Sequence, residues 1–267
     1  MVGCMPPKRL AQVRFAMRLL AKIALVLVFL TALGFGQNKY FTTFNYTENP
    51  ISNGGAWVNG HLAGRDNCHW GFTYCWGNMQ TNGRIGYGTD EPTKYGDPTA
   101  ILTGTWGPDQ TVLGTVHIIA AQPTGINQCC HEIELRLRTA ILKGSITGYE
   151  VYCSLISSDA YCHIASWGGP NGAYVNLDAC AGATPAKYLK EGDVLKATVR
   201  GTNPVTLTAF INETPIMRVQ DTGSCTFSDG KKYGPWMSGN PGIGQYDTDG
   251  SFNSFGWSHF SATDTGQ

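Results

Sequence analysis

Charge is scarce in this sequence. Asp, Glu, Lys and Arg make up 14% of its 267 residues, with 19 basic and 19 acidic. No basic stripe interleaved with aromatics is present, which argues against a nucleic-acid binder. No stretch reaches the ~20 consecutive apolar residues of a membrane-spanning helix, and no long segment repeats its apolar positions at helical spacing. Familiar catalytic signatures are missing as well. There is no G-x-S-x-G elbow, no phosphate-binding loop, no H-E-x-x-H and no paired C-x-x-C. These absences lower the prior for an enzyme without excluding one, because catalytic groups can be assembled in space.

What is present starts with an export signal. Lys8, Arg9, Arg14, Arg18 and Lys22 precede the apolar run Ile23 to Leu30 and the small residues Ala32, Gly34 and Gly36. That is the layout of a secretory signal peptide over 1–36, with cleavage expected before Gln37 and a single domain over 37–267. The segment holds five of the 19 basic residues and none of the acidic ones, so the mature chain carries 14 − 19 = −5. The expected location is extracellular or periplasmic, with no membrane attachment after cleavage.

Of nine cysteines, Cys4 would leave with the signal and eight remain. An even count in an exported chain reads as up to four disulfides. Cys153 with Cys162 is the first expected pair and Cys68 with Cys75 the second, by proximity. Cys129 and Cys130 are adjacent and are expected to take different partners.

Short alternating segments recur between turn signals: Thr111 to Ile119, Glu132 to Arg138, Tyr149 to Leu155, Ala160 to Trp167, Val194 to Arg200, Thr206 to Ile211, Ile216 to Val219 and Phe252 to Phe260. Strands at this spacing predict an all-β, two-sheet antiparallel sandwich or a barrel. Asn53 to Pro98 is instead rich in Gly, Asn and aromatics. It reads either as a loop covering a sheet edge or as the aromatic wall of a cleft.

The most informative stretch runs from His131 to Trp167. Ile133, Leu135 and Leu137 alternate with Glu132, Glu134, Arg136 and Arg138, the period of a strand with one core face. Folding the next run about Ser157-Ser158 sets Cys153 against Cys162, Tyr152 against His163, Val151 against Ile164 and Glu150 against Ala165. If the two segments are neighbours, one non-core face presents Glu132, Glu134, Arg136, Arg138, Glu150, Tyr152, His163 and Trp167. That face suits a polar, ring-shaped ligand. The plain alternative is a solvated face of weak ion pairs.

The C-terminal half carries a resemblance. Glu191 to Arg200, Val205 to Ile216, Gly239-Asn-Pro-Gly-Ile-Gly244 and Phe255 to Ala262 follow one another. Together with Phe41 to Phe44 and Gly55-Ala-Trp57, this resembles the concanavalin A-like lectin/glucanase superfamily, including laminin-G-like modules. In that pattern the Gly239 to Gly244 stretch is a turn. The resemblance implies a jelly-roll sandwich that receives a carbohydrate on a concave face.

It also frames the chemistry. Laminarinase-type members carry E-x-D-x-x-E; Glu132-Ile-Glu134 fills the first two places, but Leu137 stands at the third. Glu134-Leu-Arg136 and Val116-His117-Ile118 are similar to two motifs of jelly-roll alginate lyases, in reversed order. Many superfamily members hold structural calcium, for which Asp247 and Asp249 in Tyr246-Asp-Thr-Asp-Gly250 are candidates; no cofactor is required.

The expectation is therefore a secreted, lectin-like binder of a polysaccharide or other glycan. Trp167 and Tyr152 would stack on the sugar, while Glu132, Glu134, Glu150, Arg136 and Arg138 bind its polar groups, Arg136 being suited to a uronate. Two other readings remain open. One is a hydrolase or lyase with Glu132 or Glu134 as acid/base and His163 assisting; the other is an adhesive envelope protein. Asn45-Tyr-Thr47 and Asn212-Glu-Thr214 also fit the N-glycosylation pattern, although a hairpin turn explains the second equally well.

Overall fold

The computed structural model describes residues 38–64, 75–89, 96–120, 130–183, 185–248 and 250–264. Their strands, in chain order, are β1 (Lys39–Thr42), β2 (Thr47–Glu48), β3 (Trp57–Asn59), β4 (Trp76–Gly77), β5 (Met79–Asn82), β6 (Gly86–Gly88), β7 (Asp97–Leu102) and β8 (Gln110–Ile118). They continue as β9 (His131–Leu142), β10 (Ser145–Ser154), β11 (Cys162–Gly169), β12 (Tyr174–Asn176), β13 (Val194–Arg200), β14 (Val205–Ile211), β15 (Thr214–Asp221), β16 (Asn240–Asp247) and β17 (Phe255–Thr263). A single α-helical turn, α1 (Leu177–Cys180), follows β12. No helix of the described residues is long and apolar enough to cross a membrane.

Two sheets form a β-sandwich. The first runs β15-β14-β13-β8-β17-β6-β5-β2, with β1 paired to β17; the second runs β12-β11-β10-β9-β16-β7-β3, with β4 paired to β7. All pairings are antiparallel except the short β4–β7 contact. Between the sheets lie alternate residues of each strand, among them Ile133, Leu135, Val151, Ile164, Leu195, Leu207, Trp257 and Phe260, all fully buried. Burying rows of β-branched and aromatic side chains at period two is what makes each strand choose its face.

The pairing of β10 with β11 has the register read from the residue numbers: Glu150 opposite Ala165, Val151 opposite Ile164, Tyr152 opposite His163 and Cys153 opposite Cys162. Cys153 and Cys162 are joined, as are Cys180 and Cys225. Cys75 and Cys130 are also disulfide-bonded, while Cys68 lies outside the described residues. Ser157 and Ser158 sit within a longer loop between Ser154 and Cys162 rather than forming a two-residue turn. A tight turn does form at Asn212-Glu213, where both residues have positive φ, 49° and 64°, and join β14 to β15.

Three expectations are corrected. Gly239 to Gly244 belongs largely to β16, a central strand between β7 and β9, rather than to a turn. Its glycines are a steric requirement of the neighbouring strands: a Cβ on Gly244 would collide with Glu134 Oε2 and stand 3.0 Å from Arg136 Nε. Secondly, Asn53 to Pro98 is not a bare loop, since it contributes β3 to β6. The third correction concerns Arg138. A bulge between Tyr149 and Thr147 interrupts the β9–β10 ladder, and Arg138 there has φ 46°. Its guanidinium donates to the carbonyls of Pro108, Trp236 and Gly201 at 2.5, 2.9 and 2.8 Å. Arg138 thus leaves the row of Glu132, Glu134 and Arg136 and fastens loops instead of facing a ligand.

Candidate functional site

The outer face of the second sheet is where the alternating charges of β9 end up. Because Ile133, Leu135 and Leu137 point into the sandwich, Glu132, Glu134 and Arg136 point away from it. Register then adds neighbours. Glu150 lies beside Arg136, Tyr152 beside Glu134, and Tyr246 of β16 beside Glu132. Asp97 comes from the start of β7, one strand beyond β16.

This face is not solvated. Glu134 is 1% exposed and Arg136 0%. Arg136 Nη1 donates to Glu150 at 2.5 Å, and Nη2 donates to Glu134 at 2.5 Å and to Asp97 at 2.7 Å. Its plane also lies 5.5 Å from the Trp76 ring and 5.6 Å from that of Trp167. Trp167 Nε1 donates to Glu150 in turn. One guanidinium therefore serves three carboxyl groups under two indoles, and Glu132 accepts from Tyr161 at the edge of the group.

Burial raises the proton affinity of every acid in this cluster. Asp97 is pushed up to about 7, by desolvation first, with Arg136 opposing and Glu150 adding to the rise. Glu132 reaches about 8, again through burial, against the lowering effect of the Tyr161 hydrogen bond. Glu134 is held well above the usual carboxylate range by burial and the charges of Glu150 and Asp97. Glu150 is raised by burial, with Arg136 and Trp167 working against it. For Arg136 burial disfavours the charge, but Glu150, Glu134 and Asp97 outweigh it and keep the group protonated.

Over the cluster opens a cleft of about 370 Å³. Carboxyl groups of Asp97, Glu132, Glu134 and Glu150 line it, with the rings of Tyr152, Trp167, Tyr174 and Tyr246 and the turn Asn171-Gly172. Tyr174 pairs with Trp167 across β11–β12, its ring 4.9 Å away, and is 38% exposed. Trp167 is only 7% exposed and Tyr152 only 8%, so the ring free for a ligand to cover is Tyr174 rather than either of the two expected. Asn171, 7% exposed, has an Nδ2 with no hydrogen-bond partner.

Of the nominated residues, the structure brings Glu132, Glu134, Glu150, Tyr152 and Trp167 to one cleft and puts Arg136 beneath it. Arg136 is not available to a uronate, since it is fully buried and both its Nη groups already donate to carboxyls. His163 stands beside the cleft rather than in its lining, with Nδ1 2.9 Å from Asp178. Asp247 is fully buried and accepts from Ser251 Oγ at 3.0 Å and from the Gly250 amide at 3.2 Å. Asp249 lies outside the described residues, and among the described residues no group of three or more His, Cys, Asp or Glu is placed to hold a metal ion.

Asp97, Asn171, Tyr174 and Tyr246 were not anticipated, whereas Trp76 belongs to the aromatic stretch for which a cleft wall was one of the two readings. Asp97 sits in a strand buried on both faces, so no alternation marks it. Asn171 and Tyr174 did have a signal, the Gly168-Gly169-Pro170 turn that brings the chain back over Trp167.

No family model and no curated protein sequence matches the chain. Among solved structures, β-agarase A in complex with oligoagarose is similar at 12% identity and a TM-score of 0.49, over 86% of this chain and 94% of that one. The carbohydrate-binding module CBM66 from Bacillus subtilis is similar at 11% identity and 0.45, over 80% and 96%. The exoplasmic/lumenal domain of VIP36, in a Ca2+/Man2-bound form, is similar at 8% identity and 0.46, over 85% and 87%.

Proposed function

We propose that this is a carbohydrate-binding protein that works outside the cytoplasm and takes a glycan into the cleft over Arg136. The observation that carries the reading is the cleft's lining: hydrogen-bonding carboxyl groups set low among aromatic rings, with an exposed tyrosine at one side. Sugars offer alternating hydroxyl donors and acceptors around an apolar ring face. Carboxyl groups that hold protons near neutral pH can both donate and accept, and the Tyr174 ring can cover C–H bonds. The packed cluster underneath holds these groups in place before any ligand arrives, which lowers the entropy cost of binding.

Export is part of the proposal. Disulfides at Cys153–Cys162 and Cys180–Cys225 support an oxidising compartment, and residues 1–36 would be the signal. Amino-terminal sequencing of the exported protein should begin at Gln37; an uncleaved start would refute this part.

A second reading is favoured by one observation, the raised proton affinity of Glu132 and Glu134 in a cleft, which is also what a general acid needs. One experiment separates the two. The oxidised protein is incubated with a polysaccharide panel, and retention, new reducing ends and unsaturated products are recorded, with Glu132→Gln and Tyr174→Ala alongside. Retention without products, weakened in Tyr174→Ala, supports the binding protein. Products that vanish in Glu132→Gln would make the cleft an active site, and no retention by any polysaccharide would overturn both readings.

A further inference from the structure

We infer that the glycan this cleft accepts is an amino sugar, with its ammonium group against Glu132 and Glu134 and a ring or hydroxyl oxygen accepting from Asn171. The inference rests on the glycan reading and narrows it to a class. Its basis is a mismatch of charge that the cleft's own residues do not correct. Four acids line the space, and among the described residues no Lys, Arg or His does. Arg136 below is fully buried, and its Nη groups are already shared by Asp97, Glu134 and Glu150. Although its Nε has no partner, it is not part of the cleft's lining, so it compensates its immediate neighbours rather than a ligand.

That arrangement selects by sign. A uronate or sulfated sugar would bring a negative group to a surface lined by four acids and no cation, a repulsion that grows as those acids ionise and that low-dielectric walls strengthen. A neutral sugar meets no such penalty but leaves the excess acid uncompensated. An ammonium supplies three donors and a positive charge, and the exposed Tyr174 ring beside it favours a cation further. Burial raises the proton affinities of Glu132 and Glu134, and an ammonium placed beside them would favour their charged forms.

Asn171 is a separate observation. Its side chain is nine-tenths buried, it lines the same cleft, and its Nδ2 has no partner. A buried amide N–H without an acceptor is costly, and a ligand oxygen in the cleft would remove that cost. A sugar bearing one amine among several hydroxyls carries both complements on one ring.

The test is titration of the oxidised protein with three tetrasaccharides of one backbone: glucosamine, its N-acetylated counterpart and glucose. The expected result is binding of the glucosamine form tighter than the other two by about tenfold or more, weakening as salt is added. Glu132→Gln, which keeps an acceptor for Tyr161, should lose the preference while still binding; Asn171→Ala should weaken all three and keep the preference. Equal or tighter binding of the acetylated or glucose form, or a preference indifferent to salt, overturns the amino-sugar assignment and leaves the glycan reading standing. Silence of all three, together with silence across the wider panel, overturns both. Wild type alone decides the matter through salt dependence, should either variant fail to fold.

Discussion

Replacing Arg136 with methionine is the sharpest probe of the cluster. The substitution keeps length and apolar contact with Trp76 and Trp167, but it removes the guanidinium that Asp97, Glu134 and Glu150 share. Removing one partner of a buried ion pair costs roughly 3–5 kcal/mol, because the remaining charge is left without compensation. For a domain of this size that corresponds to a fall in Tm of about 10 °C. The loss should depend on pH. Asp97 and Glu132 already have folded-state proton affinities above their unfolded values, and without the guanidinium those of Asp97, Glu134 and Glu150 rise further. Groups of this kind favour the folded state below their unfolded pKa and lose that advantage as pH climbs through the folded one. The variant's deficit should therefore be small at about pH 4 and largest at about pH 8. Urea unfolding of both proteins across that range is the assay. Adding Glu134→Gln and Glu150→Gln to Arg136→Met should recover part of the loss, since the orphaned charges are then gone. A deficit under about 1 kcal/mol with no pH dependence would refute the reasoning, because it would mean that the carboxyls reach water when Arg136 is removed.

Other outcomes follow from the same geometry. The wild-type protein should itself lose stability between about pH 4 and about pH 8, as the unfolded chain ionises acids that the folded chain keeps protonated; a flat or rising urea midpoint would contradict the burial of Asp97 and Glu132. Gly244→Ala should cost about 1–3 kcal/mol by overpacking against Glu134 and Arg136, and it should weaken glycan binding with it; an unchanged melting curve would mean that β16 and β9 can separate freely. Tyr174→Ala should lower glycan affinity by about tenfold with little effect on stability, as for a partly exposed ring that the ligand covers; unaltered binding would move the sugar elsewhere. Joint replacement of Cys153 and Cys162 by alanine should lower stability by about 2–3 kcal/mol, given the short loop they close, as read by urea unfolding under oxidising conditions.

The parts legible from sequence were the local ones. Alternation in β9 told which residues face the core, and the equal spacing around Ser157-Ser158 set the β10–β11 register and placed Cys153 opposite Cys162. These follow from period two and from antiparallel pairing of neighbouring segments, so a short stretch contains all the information. The tertiary structure decided what covers the other face. Asp97, Trp76, Asn171 and Tyr246 come from distant segments, and they turn a row of charges that could have been solvated into a buried cluster with a single guanidinium at its centre. It also decided that Arg138, two residues beyond Arg136 and matching the same alternation, takes no part. Gly148 lies opposite it, where a Cβ would stand 2.7 Å from the Arg138 carbonyl, and the bulge formed there turns the arginine towards Pro108, Trp236 and Gly201. Alternation assigns a side chain to a face only while the ladder is regular, and whether it stays regular depends on strands and loops far away in the chain.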